Sequence, residues 1–159
     1  MTAINFLARV AMTGTVAGLG LGSSAEQVRD ALGDQCIADR KKKSLRLDYG
    51  LLEFSLFAGS CEGIAVQVHR LTDGPERVIP DTLRPSLSDL SRTVSFEALS
   101  SEIERDGSYS LEELPRQSGY RCYRVAKSHV ILFAVDEFAS EGESLAPGDL
   151  WSIMISGRS

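Results

Sequence analysis

Apolar and polar residues alternate along two stretches of the chain, and helical spacing precedes each stretch. In the first, Leu45, Leu47 and Tyr49 share one strand face, as do Leu52, Phe54 and Leu56, and then Ile64, Val66 and Val68. This is the period-2 mark of half-buried strands. In the second stretch, strands are predicted over 120–125, 130–135 and 150–155. Ile4, Leu7, Ala8 and Ala11 fall on one face of a helix over 2–12. Val28, Ala31 and Leu32 form the apolar stripe of a second helix. Ser23 and Glu26 supply its capping box, and Gly33 closes it. Phe96, Leu99 and Ile103 mark a third helix over 95–106, with Ser95 as cap and Gly107 as stop. Leu111–Leu114 reads as a turn of helix before Pro115, and Gly50 and Ala58–Ser60 read as turns.

Helix then meander, twice over, gives the fold class. It is α+β, a tandem repeat of helices followed by an antiparallel β-meander, forming one continuous antiparallel sheet with helices packed on one face. Residues 1–159 make a single domain of two sub-repeats, 1–71 and 95–159. A linker over 72–94, where three of the five prolines fall, joins them and holds one edge strand near Arg77–Ile79. Ala139–Gly148, with Glu141 and Glu143, is an acidic loop between the last two strands. The second sheet face is left free for a partner.

Length and charge narrow the function. The chain has 159 residues, 43% hydrophobic and 25% charged, with a net charge of −5. An acidic protein is ill suited to neutralising phosphates, so nucleic-acid binding is not expected. The basic run Arg40–Lys43 reads as a solvated turn. Three cysteines without a CxxC pair, Cys36, Cys61 and Cys122, point to buried thiols in a cytoplasmic protein, with a Cys36–Cys61 bridge as the alternative. Arg9 interrupts the N-terminal apolar segment and no positive n-region precedes it, which argues for a retained helix over a signal peptide. No segment is apolar enough for a bilayer span.

Candidate chemistry is sparse. Gly20-x-Gly22-x-x-Ala25 matches the dinucleotide fingerprint in letters, but that motif needs a preceding buried strand and a following parallel one. His69 and His129 fall in predicted strands with no activated nucleophile beside them. Asp48, Glu53, Asp136 and Glu137 are scattered at strand ends. No catalytic residue, cofactor or metal site is expected. Asp48-Tyr49-Gly50 makes the sharper case, as an acidic–aromatic hairpin tip of the residue types found at binding hot spots. The competing reading puts Tyr49 in the core, with Asp48 capping the turn. Tyr120 and Tyr123, with Tyr109, occupy the corresponding part of the second half. The first two have opposite parity, so one of them faces away from the helices. Trp151 reads as core.

The stretch from Ala17 to Gly33, with Gly22, Ser23, Gln27, Val28 and Gly33 at the characteristic positions, resembles the helical opening of the β-lactamase inhibitor protein and BamE-like families. Asp48-Tyr49 before Phe54-x-x-Phe57 is similar to the inhibitor's enzyme-engaging hairpin. Leu47–Phe54 with Val66–Arg70 resembles small actinobacterial immunity-type proteins that neutralise toxin domains. These resemblances imply a non-enzymatic inhibitor or immunity-type protein whose partner is a toxin or enzyme domain. Its expected contact set is Asp48, Tyr49, Glu53, His69, Tyr120 and Tyr123. The alternative is a small-molecule-binding or enzymatic domain with a cleft between sheet and helices, where His69 and Glu53 would converge. A third reading is an assembly module that pairs through its edge strands.

Overall fold

The structure, a computed structural model, describes residues 2–137 and 145–157. Among these, eight strands form one open antiparallel sheet. They are β1 (Ile37–Lys41), β2 (Ser44–Asp48), β3 (Leu52–Phe57), β4 (Ser60–Val66), β5 (Leu111–Gln117), β6 (Tyr120–Val125), β7 (Ile131–Val135) and β8 (Leu150–Ser156). The order across the sheet is β1-β2-β3-β4-β8-β7-β6-β5. Each half contributes a four-stranded meander, and the last strands of the two meanders pair at the centre. The predicted fold class is the observed one.

Register separates the two faces. Residues directly opposite in an antiparallel ladder point the same way. One row runs Leu52–Val66–Ile153–Leu132–Tyr123 across five strands, and another runs Leu47–Phe54–Ile64–Ile155. These rows belong to the core cluster or pack against it. The intervening row crosses all eight strands: Ile37–Asp48–Glu53–Ala65–Met154–Ile131–Arg124–Glu112. None of its members is in that cluster.

The helices cover the first face. Helix α1 (Ala3–Thr13) buries Leu7, Ala8, Val10 and Ala11 and packs against α4 (Phe96–Glu104), which buries Leu99 and Ile103. Asn5 Nδ2 donates to Glu102 Oε1 across that pair at 2.7 Å. Helix α2 (Ala25–Leu32) is capped one residue later than expected: Ser24 accepts from the Gln27 amide, and the Gln27 side chain accepts from the Ser24 amide. Ser23 instead accepts from the Gly20 amide. The glycine-rich segment before α2 is a tight turn closed between Val16 and Leu19, with Ala17 and Gly18 at positive φ. It is not a strand, so the dinucleotide reading lacks its scaffold.

Other expectations change. Residues 37–41 and 111–117 are strands, the second where a helical turn was expected; of the basic run Arg40–Lys43, the first two residues end β1 and Lys42 and Lys43 form the expected turn. Both strands lie at sheet edges, where exposure on both sides erases alternation. Pro115 falls where the β5 ladder is interrupted, between Leu114 and Gln117, a position an edge strand tolerates. Strand β4 ends at Val66, and Val68–Asp73 form a 3₁₀ segment, so His69 leaves the sheet. His129 sits in a turn with φ of 64°, outside any strand. The expected edge strand near 77–79 is replaced by the short helix α3 (Pro75–Val78). Within 72–94, Ile79, Leu83, Leu87 and Val94 all join the core. Of the acidic loop, Glu141 and Glu143 lie outside the described residues.

Two turns can be tested. Ala58 and Gly59 form the two-residue β3–β4 loop, both at positive φ, which strains only the alanine. Ala58→Gly or Ala58→Asn should raise unfolding free energy by about 0.5–1 kcal/mol in denaturant titration. Gly50 has φ of 90°, and a Cβ there would lie 2.6 Å from the Val78 carbonyl oxygen. Gly50→Ala should cost about 2 kcal/mol or more; a variant as stable as the parent would contradict the close approach.

Candidate functional site: the open sheet face

Six residues were candidates for partner contact, and the sheet divides them. Tyr49 and Tyr123 turn toward the helices. Tyr49 is 7% exposed, packs edge-on against Phe54 and donates its hydroxyl proton to the Gly33 carbonyl at 2.7 Å. Burial, with Cys36 beside it, pushes its phenol pKa well above the ordinary 10.0. It is therefore core and not a projecting contact. The hairpin tip folds under residues 67–78: Leu51 N–H donates to Val78 O, and Gln67 N–H to Leu51 O. Tyr123 stacks on Phe96 of α4 at 4.5 Å. As its parity required, Tyr120 takes the other face.

Asp48, Glu53, His69 and Tyr120 remain on or beside that open face, in two groups. The first is charged. Glu53 Oε1 accepts from Arg46 at 3.0 Å, and its Oε2 accepts from Gln67 at 3.0 Å and from Arg70 at 3.3 Å. Arg70 also donates to Asp48 at 2.9 Å and to the Gly50 carbonyl at 2.8 Å. Asp48 accepts from the Gly50 amide as well. Carboxylates with this many donors are held in a fixed orientation. They form one connected network.

The second group is aromatic. The β7–β8 ladder is irregular between Phe133 and Ala134, which leaves Trp151 as an extra residue in β8. Its indole stacks on His69 at 4.2 Å and 9°, and lies 4.9 Å from the Tyr120 ring. His69 Nδ1 is 3.3 Å from the Trp151 carbonyl oxygen. Beside this trio, Phe133, Ile131 and Met154 are half-buried on the same face, outside the helix-packed core. His69 and Glu53 therefore do not converge between sheet and helices.

Sequence reasoning placed Trp151 in the core and passed over Phe133, Ile131 and Met154. The available signal was β7 itself, Ile131–Val135, which is apolar at every position. An antiparallel strand with one wet face should alternate.

Other candidates are occupied or inert. Asp136 is buried against the Arg116 guanidinium, at 3.0 and 3.3 Å. The three cysteines are unbridged, and burial pushes the Cys61 and Cys122 thiols up, away from the nucleophilic thiolate. Among the described residues, no group of three or more His, Cys, Asp or Glu could hold a metal ion. No helix among them is long and apolar enough to cross a membrane. A cleft of 320 Å³ lies between Leu32–Gln35 and Arg77–Arg84, at the buried hairpin tip.

Arg70→Ala takes a charged donor from both Asp48 and Glu53 and should cost about 1–2 kcal/mol in denaturant titration, with Arg70→Lys recovering only part. Tyr49→Phe should cost about 1 kcal/mol at neutral pH. Because the folded phenol pKa is raised, the fold holds its full Tyr49 contribution below the unfolded value of 10.0 and loses it as pH rises beyond. Unfolding curves of Tyr49→Phe should consequently fall less steeply above that pH than those of the parent.

The chain matches no family model, no curated protein and no solved structure in comparisons with known proteins.

Proposed function

We propose that this protein is a non-enzymatic, inhibitor- or immunity-type binding protein that occludes a toxin or enzyme domain with its open sheet face. The observation that carries the reading is the strip formed by Tyr120, Trp151, Phe133, Ile131 and Met154. These large apolar side chains sit together on a sheet face whose register sets them apart from the helix-packed core. Large apolar and aromatic groups of this kind dominate protein interfaces, with polar residues around them. The Arg46–Glu53–Arg70–Asp48 network, on the β2–β3 side of the same face, supplies such a polar flank. The mechanism differs from insertion of an acidic–aromatic tip. Tyr49 is unavailable, and Asp48 is fixed by Arg70, so a preformed surface would cover the partner's active site.

The test pairs the protein with the product of the neighbouring reading frame, co-expressed and co-purified. Phe133→Asp combined with Met154→Asp should weaken association about a hundredfold by calorimetry, while the melting temperature shifts by only a few degrees. Arg9→Asp, on the exposed side of α1, should bind like the parent. A complex indifferent to the double substitution, or disrupted by Arg9→Asp alone, would end the proposal.

A further inference from the structure

The two edges of the sheet are built differently. Strand β5 carries Pro115 and an interrupted ladder, and its acidic side chains are engaged: Glu112 with Arg124 at 2.7 Å and Glu113 with Arg121 at 3.6 Å. These are devices that stop strand addition. Strand β1 has no proline, an unbroken register with β2, and five exposed residues. Ile37 at its start is 70% exposed.

The backbone groups that β1 presents can be identified. Tyr49 N–H donates to Leu52 O and Ala58 N–H to Lys43 O, so the odd-numbered residues of β2 bond toward β3. Ser44, Arg46 and Asp48 then bond toward β1, to Lys41, Asp39 and Ile37. Ala38 and Arg40 are left with their N–H and C=O groups directed outward. At the same end, Arg40, Lys41, Lys42 and Lys43 make no ion pair among the described residues, in a chain of net charge −5. Four adjacent cations repel one another and gain from an external anion.

We propose that β1 accepts an extended acidic segment of a partner protein as a ninth strand. The segment's backbone pairs with Ala38 and Arg40, its acidic residues lie beside Arg40–Lys43, and an apolar residue lies beside Ile37. A nucleic acid would use the cations, and its phosphates could accept from an outward amide, but it lacks the alternating donors and acceptors that match a strand edge. The surface is the sheet's edge and not its face, so the proposal stands or falls apart from the function proposed above.

The probe is a fluorescent, acetylated peptide of four glutamates followed by alternating valine and threonine, added to the full chain and followed by anisotropy. Its reversed sequence, its lysine counterpart and a twelve-nucleotide oligothymidylate serve as comparisons. One glutamate peptide orientation should bind at least about tenfold more tightly than the lysine peptide and the oligonucleotide. Ala38→Pro removes one outward donor without touching the β1–β2 ladder and should weaken binding about tenfold, with unchanged circular dichroism. Lys42→Glu with Lys43→Glu, in the loop, should weaken it by at least as much. Binding that ignores Ala38→Pro, or oligonucleotide binding as tight as that of the peptide, would overturn the assignment. So would a dimer of the free protein that Ala38→Pro dissolves, because the occupant would then be a second copy.

Discussion

The pairing of β4 with β8 is the constraint on which the rest of this molecule depends. Gly63, Ile64, Ala65 and Val66 align with Ser156, Ile155, Met154 and Ile153, residues more than half the chain length away. Without that seam there would be two small meanders, each with an open edge and a narrow apolar face, marginal by themselves. With it, Ile64, Val66, Ile153 and Ile155 form the middle of one continuous apolar floor. Helices α1 and α4, one from each half, pack together over that floor. Closing so long a loop is entropically costly, and a seam that buries β-branched side chains on its inner face offsets the cost.

The same seam shapes the outer face. There Gly63 and Ala65 are small, so the centre of the sheet is low. Charge collects on one side, around Glu53 and Arg70, and aromatic surface on the other, around Trp151 and Tyr120. The half-buried carboxylates are saturated with guanidinium and amide donors. His69 is stacked flat on an indole. What the face offers is rigid, part-apolar area.

The sequence was legible where one side of an element is wet and the other dry. Leu45–Leu47, Leu52–Leu56 and the α4 stripe each alternate or repeat cleanly, and the structure places them as read. It was illegible where that contrast vanishes. Strand β1 is wet on both sides, and β5 nearly so, which left only a basic run and a proline to read. Strand β7 is apolar on both faces, so no alternation marked its outward residues. The tip at Tyr49 misled for another reason. An acidic residue and an aromatic beside a glycine read as a projecting loop, yet Gly50 is required because the Val78 backbone presses against it. Tertiary contact from residues distant in sequence decided that position, and local pattern does not carry such information.

That contact also changes what the proline-rich middle segment does. Read as a linker, it would tether two halves. In the structure it is a clamp: Ile79, Leu83 and Leu87 are core and the Val78 backbone presses on Gly50, while just before it Arg70 ties Asp48 to Glu53 and His69 braces Trp151. His69 and Arg70, at the end of the first sub-repeat, thus hold the aromatic and charged groups of the open face. Side chains held by stacking and by paired charges have already lost the rotamer freedom that association would otherwise remove. A surface fixed in this way binds by complementarity of a preformed shape. The face on which the proposed function rests is therefore preorganised by a stretch that sequence pattern reads as the end of a strand and that leaves the sheet as a 3₁₀ segment.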